Sequence, residues 1–124
     1  MGQVTRMSLD KPKINEKQPV FLGIDVHKNH YSLTIIHQGE VYFRCTIPAV
    51  FERLRQILEY YKGCPIFSVY EAGFSGFHLH RDLTNAGINN MVVAPAKVPV
   101  AVGDRVKTDR RDSFKLADNL SKGF

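Results

Sequence analysis

The chain predicts an α/β protein built on one mixed sheet, and three observations carry that prediction. Val20-Phe21-Leu22-Gly23-Ile24-Asp25-Val26 is a nearly continuous apolar run, the pattern of a strand covered on both faces. Two β-rich segments follow closely, Tyr31 to His37 and Val41 to Ile47, with Gln38-Gly39-Glu40 between them as a hairpin turn. Beyond Pro48, helical spacing alternates with short apolar runs, as in strands linked by crossover helices.

Residues 1–18 are polar and lysine-rich without sustained periodicity, which predicts a flexible N-terminal tail ahead of one folded domain over 19–124. Only His27-Lys28-Asn29-His30 separates the first strand from the second, so the first three strands form an antiparallel meander. Pro48 stops it. Phe51, Leu54, Ile57, Leu58 and Tyr61 recur at helical spacing, with Gly63 as the stop. Pro65 opens a strand over Ile66 to Tyr70 that ends at Glu71-Ala72-Gly73; a helix over Phe77 to Asn85, capped by Gly87, follows. Met91-Val92-Val93-Ala94 is a fifth strand closed by Pro95, residues 96–106 read as a loop, and a last helix begins near Thr108 and runs towards Leu120. Its expected apolar side is Phe114, Ala117 and Leu120.

The resulting architecture is a five-stranded mixed sheet, three antiparallel then two parallel strands, with flanking helices. Right-handed crossovers place the first strand near its centre. Ligands in such sheets gather beyond the carboxyl ends of the parallel strands.

Bulk properties narrow the class without naming a function. At 124 residues the chain is one domain, and 44% hydrophobic with 23% charged residues is the balance of a soluble globular protein. The net charge of +5 leans towards a polyanionic partner but does not by itself decide for nucleic acid. Cys45 and Cys64 fit no zinc spacing and are too few for a disulfide framework, so they read as reduced thiols. No secretory h-region and no apolar run of roughly 20 residues is visible, so a cytoplasmic protein without a membrane partner is expected.

Lys107-Thr108-Asp109-Arg110-Arg111-Asp112 places two aspartates three residues apart in a basic run. On a helix they would share a face and repel, unless a divalent cation lies between them or neighbouring Arg and Lys neutralise them. Asp25 interrupts the central strand and Glu71 ends the strand expected beside it. Four carboxylates could thus converge at one sheet edge. Hard oxygen ligands select Mg²⁺ or Mn²⁺, and two such ions about 4 Å apart serve phosphodiester chemistry. Ordinary readings stand beside this one: Asp25 making turn hydrogen bonds, Glu71 solvated in a loop, Asp109 complementing a helix dipole, Asp112 pairing with Arg105 or Lys115. Lys97, Arg105, Lys107, Arg110 and Arg111 are candidate nucleic-acid-binding residues through phosphate contact, or a basic face offsetting the aspartates. His27 and Lys28 could touch the same phosphate; the five histidines otherwise lack zinc-site spacing.

Gly23-Ile24-Asp25-Val26-His27-Lys28, Tyr70-Glu71-Ala72-Gly73 and Lys107-Thr108-Asp109-Arg110-Arg111-Asp112, in that order, resemble the DEDD transposases of bacterial and archaeal insertion sequences. The resemblance runs from Phe21 to Leu120 and includes Val92-Val93-Ala94-Pro95. The N-terminal domain of these recombinases is similar to the Holliday-junction resolvase RuvC, so the resemblance implies an RNase H-like (RuvC-like) fold. It further implies that Asp25, Glu71, Asp109 and Asp112 are an acidic tetrad binding Mg²⁺ (or Mn²⁺) for DNA strand cleavage and exchange. A guide (bridge) RNA and homo-oligomer formation are implied for the full-length protein. Family members carry a second, C-terminal domain with a serine proposed as nucleophile. This chain stops at Phe124, so that domain is expected to be absent and the chain alone to be weak or inactive in recombination.

Two other functions compete. A noncatalytic nucleic-acid-binding module would bind in a salt-dependent way that ignores divalent ions. Half of an actin-like or sugar-kinase-type ATPase would also place an Asp on its first strand, but needs small Gly, Ser or Thr residues after it, where this chain has His27-Lys28-Asn29.

Overall fold

Residues 13–73, 76–99 and 106–124 are described by the structure, a computed structural model. Five strands form one sheet: β1 (Val20–Val26), β2 (His30–His37), β3 (Glu40–Pro48), β4 (Ile66–Glu71) and β5 (Asn89–Val93), in the order β3-β2-β1-β4-β5. β1 pairs antiparallel with β2 and β2 with β3, whereas β1–β4 and β4–β5 are parallel. This is the expected mixed sheet of the RNase H-like class, with β1 at its centre.

Central position explains the nearly continuous apolar run of β1. Val20, Leu22, Ile24 and Val26 point to one face, where they join Leu33, Ile35 and Tyr70. The helices α1 (Phe51–Glu59) and α2 (His78–Asn85) close that core with Leu54, Leu58, Leu79 and Leu83, two pairs at i, i+4 spacing. Each such side chain contributes roughly 1.5–3 kcal/mol on full burial. Tyr70 also ties α2 down: its hydroxyl donates to the Gly76 carbonyl at 2.8 Å and accepts from the His80 N–H at 3.1 Å. The β2–β3 hairpin turns through Gln38 (φ 54°) and Gly39 (φ 79°), the doubly positive pair that suits the twist of a two-residue loop.

The opposite face takes α3 (Ser113–Ser121), which crosses β1, β2 and β4. Gly23 makes this possible. A Cβ there would meet the Ser113 carbonyl oxygen and lie 2.5 Å from the Ala117 backbone nitrogen. Beside it, Thr34 Oγ1 and Ser113 Oγ share a buried hydrogen bond of 2.8 Å. The buried side of α3 is therefore Ser113, Leu116 and Ala117, not the expected Phe114, Ala117 and Leu120. Close approach to Gly23 selects the small residues, and Phe114 stays partly exposed with the Arg44 guanidinium over its ring.

Three further expectations are corrected. The loop expected over 96–106 contains β6 (Ala96–Pro99), which pairs antiparallel with β7 (Val106–Asp109) in a separate two-stranded sheet. Val98, Val106 and Thr108 are β-branched, and the chain supplies each strand with its partner. The last helix begins at Ser113, not near Thr108, because Asp112 is its N-cap in extended conformation. Part of the expected tail is held to the sheet: the Asn15 N–H donates to Nε2 of buried His37 at 3.0 Å, and Ile14 packs on the core. Residues 1–12 lie outside the described residues.

Candidate metal-binding site

β1 and β4 run parallel with Val20 beside Ile66 and Ile24 beside Tyr70. One step further along the same register sets Asp25 beside Glu71. Both then project from the face that carries Gly23, the α3 side, since side chains two apart share a face. Two carboxylates are brought together at the carboxyl end of adjacent parallel strands, where the topology favours a site.

The step between β7 and α3 supplies their partners. Arg110 Nη2 donates to Asp25 Oδ1 at 2.9 Å and to the Val26 carbonyl at 3.2 Å, and its Nε lies 4.0 Å from Glu71 Oε1. Arg111 donates to Glu71 Oε2 through Nε at 2.6 Å and through its backbone N–H at 3.2 Å; its Nη2 donates to the Ala94 carbonyl at 2.8 Å. His27 Nε2 lies 3.1 Å from Asp25 Oδ2, and its ring stacks on His30 at 4.3 Å between centroids. Repulsion between two inward carboxylates is thus offset by two guanidinium groups, the second of the two solutions open to such a cluster. One polar atom is left over. The Glu71 side chain is only 4% exposed, and its Oε1 is buried without a hydrogen-bond partner among the described residues.

Asp109 and Asp112 do not share a helical face. Asp109 ends β7, and Asp112 caps α3, its Oδ1 accepting from the Lys115 backbone N–H at 2.8 Å. The face-sharing argument fails because a strand, a two-residue link and a cap occupy positions expected to be one helix. The side chains of Asp109, Lys97 and Lys107 lie outside what is described, and Arg105 lies outside the described residues altogether. Among the described residues no group of three or more His, Cys, Asp or Glu side chains is arranged to hold a metal ion. No helix among them is long and apolar enough to cross a membrane.

Sequence reasoning missed the division of labour between the arginines. Both were candidate phosphate contacts, yet Arg111 turns inward, 16% exposed, with Phe124 stacked 5.0 Å from its Cζ. The Asp109-Arg110-Arg111-Asp112 run offers donors for a buried Glu71 but does not say which arginine turns inward.

Comparison with known proteins places the chain in a family. A family profile described as a DEDD transposase of the IS110 type matches residues 22–123. The transposase for insertion sequence element IS1533 of Leptospira borgpetersenii is 32% identical over 105 residues, covering 82% of this chain and 30% of that protein. A protein of Sinorhizobium fredii (strain NBRC 101917 / NGR234) named as a transposase, y4qE, is 33% identical over 115 residues, covering 89% of this chain and 30% of its own length. The chain therefore spans about a third of the length of the curated relatives it matches. With nearly all of its folded part inside the family profile and both relatives above 30% identity, the chain belongs to the IS110-type DEDD transposases.

Proposed function

We propose that this chain is the N-terminal catalytic domain of a DEDD transposase, 19–124 forming its RuvC-like unit, which contributes the metal-dependent step of DNA strand cleavage and exchange. One observation carries the reading: Glu71 Oε1 is a buried oxygen beside Asp25 at the carboxyl end of β4, without a hydrogen-bond partner among the described residues. A donor set made only of carboxylate oxygens fits Mg²⁺ or Mn²⁺ and not zinc. Asp25, Glu71, Asp109 and Asp112 would hold it. When bound, the ion, or a pair of ions, would activate an attacking oxygen and stabilise the leaving oxygen of a phosphodiester.

The chain's own residues supply the rest. Asp25 and Glu71 stand on rigid neighbouring strands, which fixes their spacing. Arg111 holds Glu71 in one rotamer from the inside. Arg110, half-exposed, is the phosphate-binding group of this pair, and Lys97, Arg105 and Lys107, basic residues earlier in the sequence, are further candidates for phosphate contact. A guide RNA and a homo-oligomer belong to the same reading of the full-length protein, in which further chain completes the recombinase. A cytoplasmic location accords with that role.

The test is Asp25→Asn or Glu71→Gln in a full-length protein containing this domain, assayed for Mg²⁺-dependent strand cleavage. Loss of about 10³-fold or more is expected for groups acting on the reacting phosphate. Undiminished cleavage by a folded variant overturns the assignment. A second reading, a noncatalytic nucleic-acid-binding module, draws on the arginines that already neutralise Asp25 and Glu71. It predicts DNA binding that falls with salt and is unchanged by divalent ions.

A further inference from the structure

Two consecutive arginines serve the same pair of carboxylates but are held in opposite ways. Arg111 uses its backbone N–H, Nε and Nη2 on fixed acceptors, is mostly buried and is stacked on Phe124. Arg110 uses one nitrogen, Nη2, for both of its hydrogen bonds, to Asp25 Oδ1 and the Val26 carbonyl, and half of its side chain faces solvent. Its Nε stands 4.0 Å from Glu71 Oε1, too far for a hydrogen bond, so it compensates the charge of that oxygen without satisfying it. A single positive charge therefore spans the gap between Asp25 and Glu71 and satisfies only one of them.

A divalent cation bridging those two carboxylates would compete with Arg110 for the space and negative charge between Asp25 Oδ1 and Glu71 Oε1. We propose that Arg110 is an exchangeable counter-ion of the Asp25–Glu71 pair, which a divalent cation displaces towards solvent while Arg111 stays in place. The inference rests on the metal reading above and adds a regulatory step to it: the site stays charge-balanced and closed until the ion arrives. Exchange raises the local charge by one and frees a half-exposed guanidinium beside the site. Both changes favour a phosphodiester, so cation entry and DNA engagement are coupled through one side chain. The apparent affinity for the cation is reduced by the fraction of molecules in which Arg110 is docked, and removing that side chain removes the reduction.

The experiment uses the 124-residue chain. Mn²⁺ is titrated calorimetrically into the wild type, Arg110→Ala, Arg110→Gln and Asp25→Asn, at low and at high salt. In parallel, the guanidinium ¹⁵Nε–¹H resonances are followed by NMR as Mg²⁺ is added to the wild type. Expected are a gain of about tenfold or more in Mn²⁺ affinity for both Arg110 variants, persisting at high salt where a general charge effect is screened, and loss of binding in Asp25→Asn. The Arg110 resonance should move towards its solvent-exposed position on Mg²⁺ addition while that of Arg111 does not. Wild-type Mn²⁺ binding that Asp25→Asn abolishes but Arg110 removal leaves within twofold overturns the exchange and leaves the metal reading standing. Absence of Mn²⁺ binding in every protein overturns both.

Discussion

Arg111 and Glu71 are joined twice, by the Arg111 Nε at 2.6 Å and by its backbone N–H at 3.2 Å, both to the same carboxylate oxygen. Forty residues separate them in sequence, so this contact pins the link between β7 and α3 onto the end of β4. Because Glu71 is buried, removing Arg111 takes away its hydrogen-bonded counter-ion and leaves only the Arg110 Nε, 4.0 Å away. Arg111→Ala should cost about 3 kcal/mol or more, measured by urea unfolding. Arg111→Lys should not restore it, since a single ammonium cannot reach both Glu71 and the Ala94 carbonyl in the geometry of the planar fork. A loss below 1 kcal/mol in the alanine variant would show the pair to be incidental.

Gly23 permits the sheet and α3 to touch. A methyl at this position meets backbone atoms of Ser113 and Ala117, which cannot rotate away. Gly23→Ala should therefore destabilise by about 1–3 kcal/mol and push α3 outward, loosening Arg110 and Arg111 with it. Unfolding curves and amide exchange across 113–121 report the two effects separately. Unchanged exchange in α3 would contradict the close packing.

The sheet was legible in the sequence because its elements carry strong local signals. β1 has an apolar run that only a central strand can bury, the β2–β3 turn has Gly39, and Pro48 and Pro65 mark boundaries. Asp25 and Glu71 were legible as a pair for the same reason: right-handed crossover topology alone sets β4 beside β1. The region after Pro95 was not. Val106–Asp109 finds its partner in Ala96–Pro99, and such pairing leaves no periodicity within a four-residue window. The start of α3 was misplaced because Thr108 and Asp112 are both acceptable caps; the pairing of β7 decides for the second. The inward turn of Arg111 depends on a buried acceptor forty residues away, which no local pattern records.

Cys45 provides a pH-dependent readout of the packing between β2 and β3. Burial disfavours its thiolate and pushes the thiol up to about 11. At pH 9 it should react with iodoacetamide on the order of a hundredfold more slowly than an ordinary cysteine thiolate would. Cys64 is shifted in the same direction by burial, so a Cys64→Ser background isolates Cys45. The linkage follows from the raised folded value: the contribution of Cys45 to stability is intact below the unfolded thiol value of about 8.5 and is lost as pH rises through about 11. A pH–rate profile with its midpoint near 8.5 would place Cys45 in water.

Asp112 allows the structural and the chemical role of one residue to be separated. As the N-cap of α3 it accepts the Lys115 N–H at 2.8 Å, which asparagine does about as well as aspartate. As a member of the proposed tetrad it contributes a negative charge, which asparagine does not. Asp112→Asn should keep unfolding stability within about 0.5 kcal/mol, whereas Asp112→Ala should lose about 1 kcal/mol. If the residue also binds the cation, both substitutions should weaken Mn²⁺ binding by a similar factor despite their different stabilities. Weakening that instead tracks stability, strong in the alanine variant and absent in the asparagine variant, would reduce Asp112 to a cap and confine the metal ligands to the strand ends.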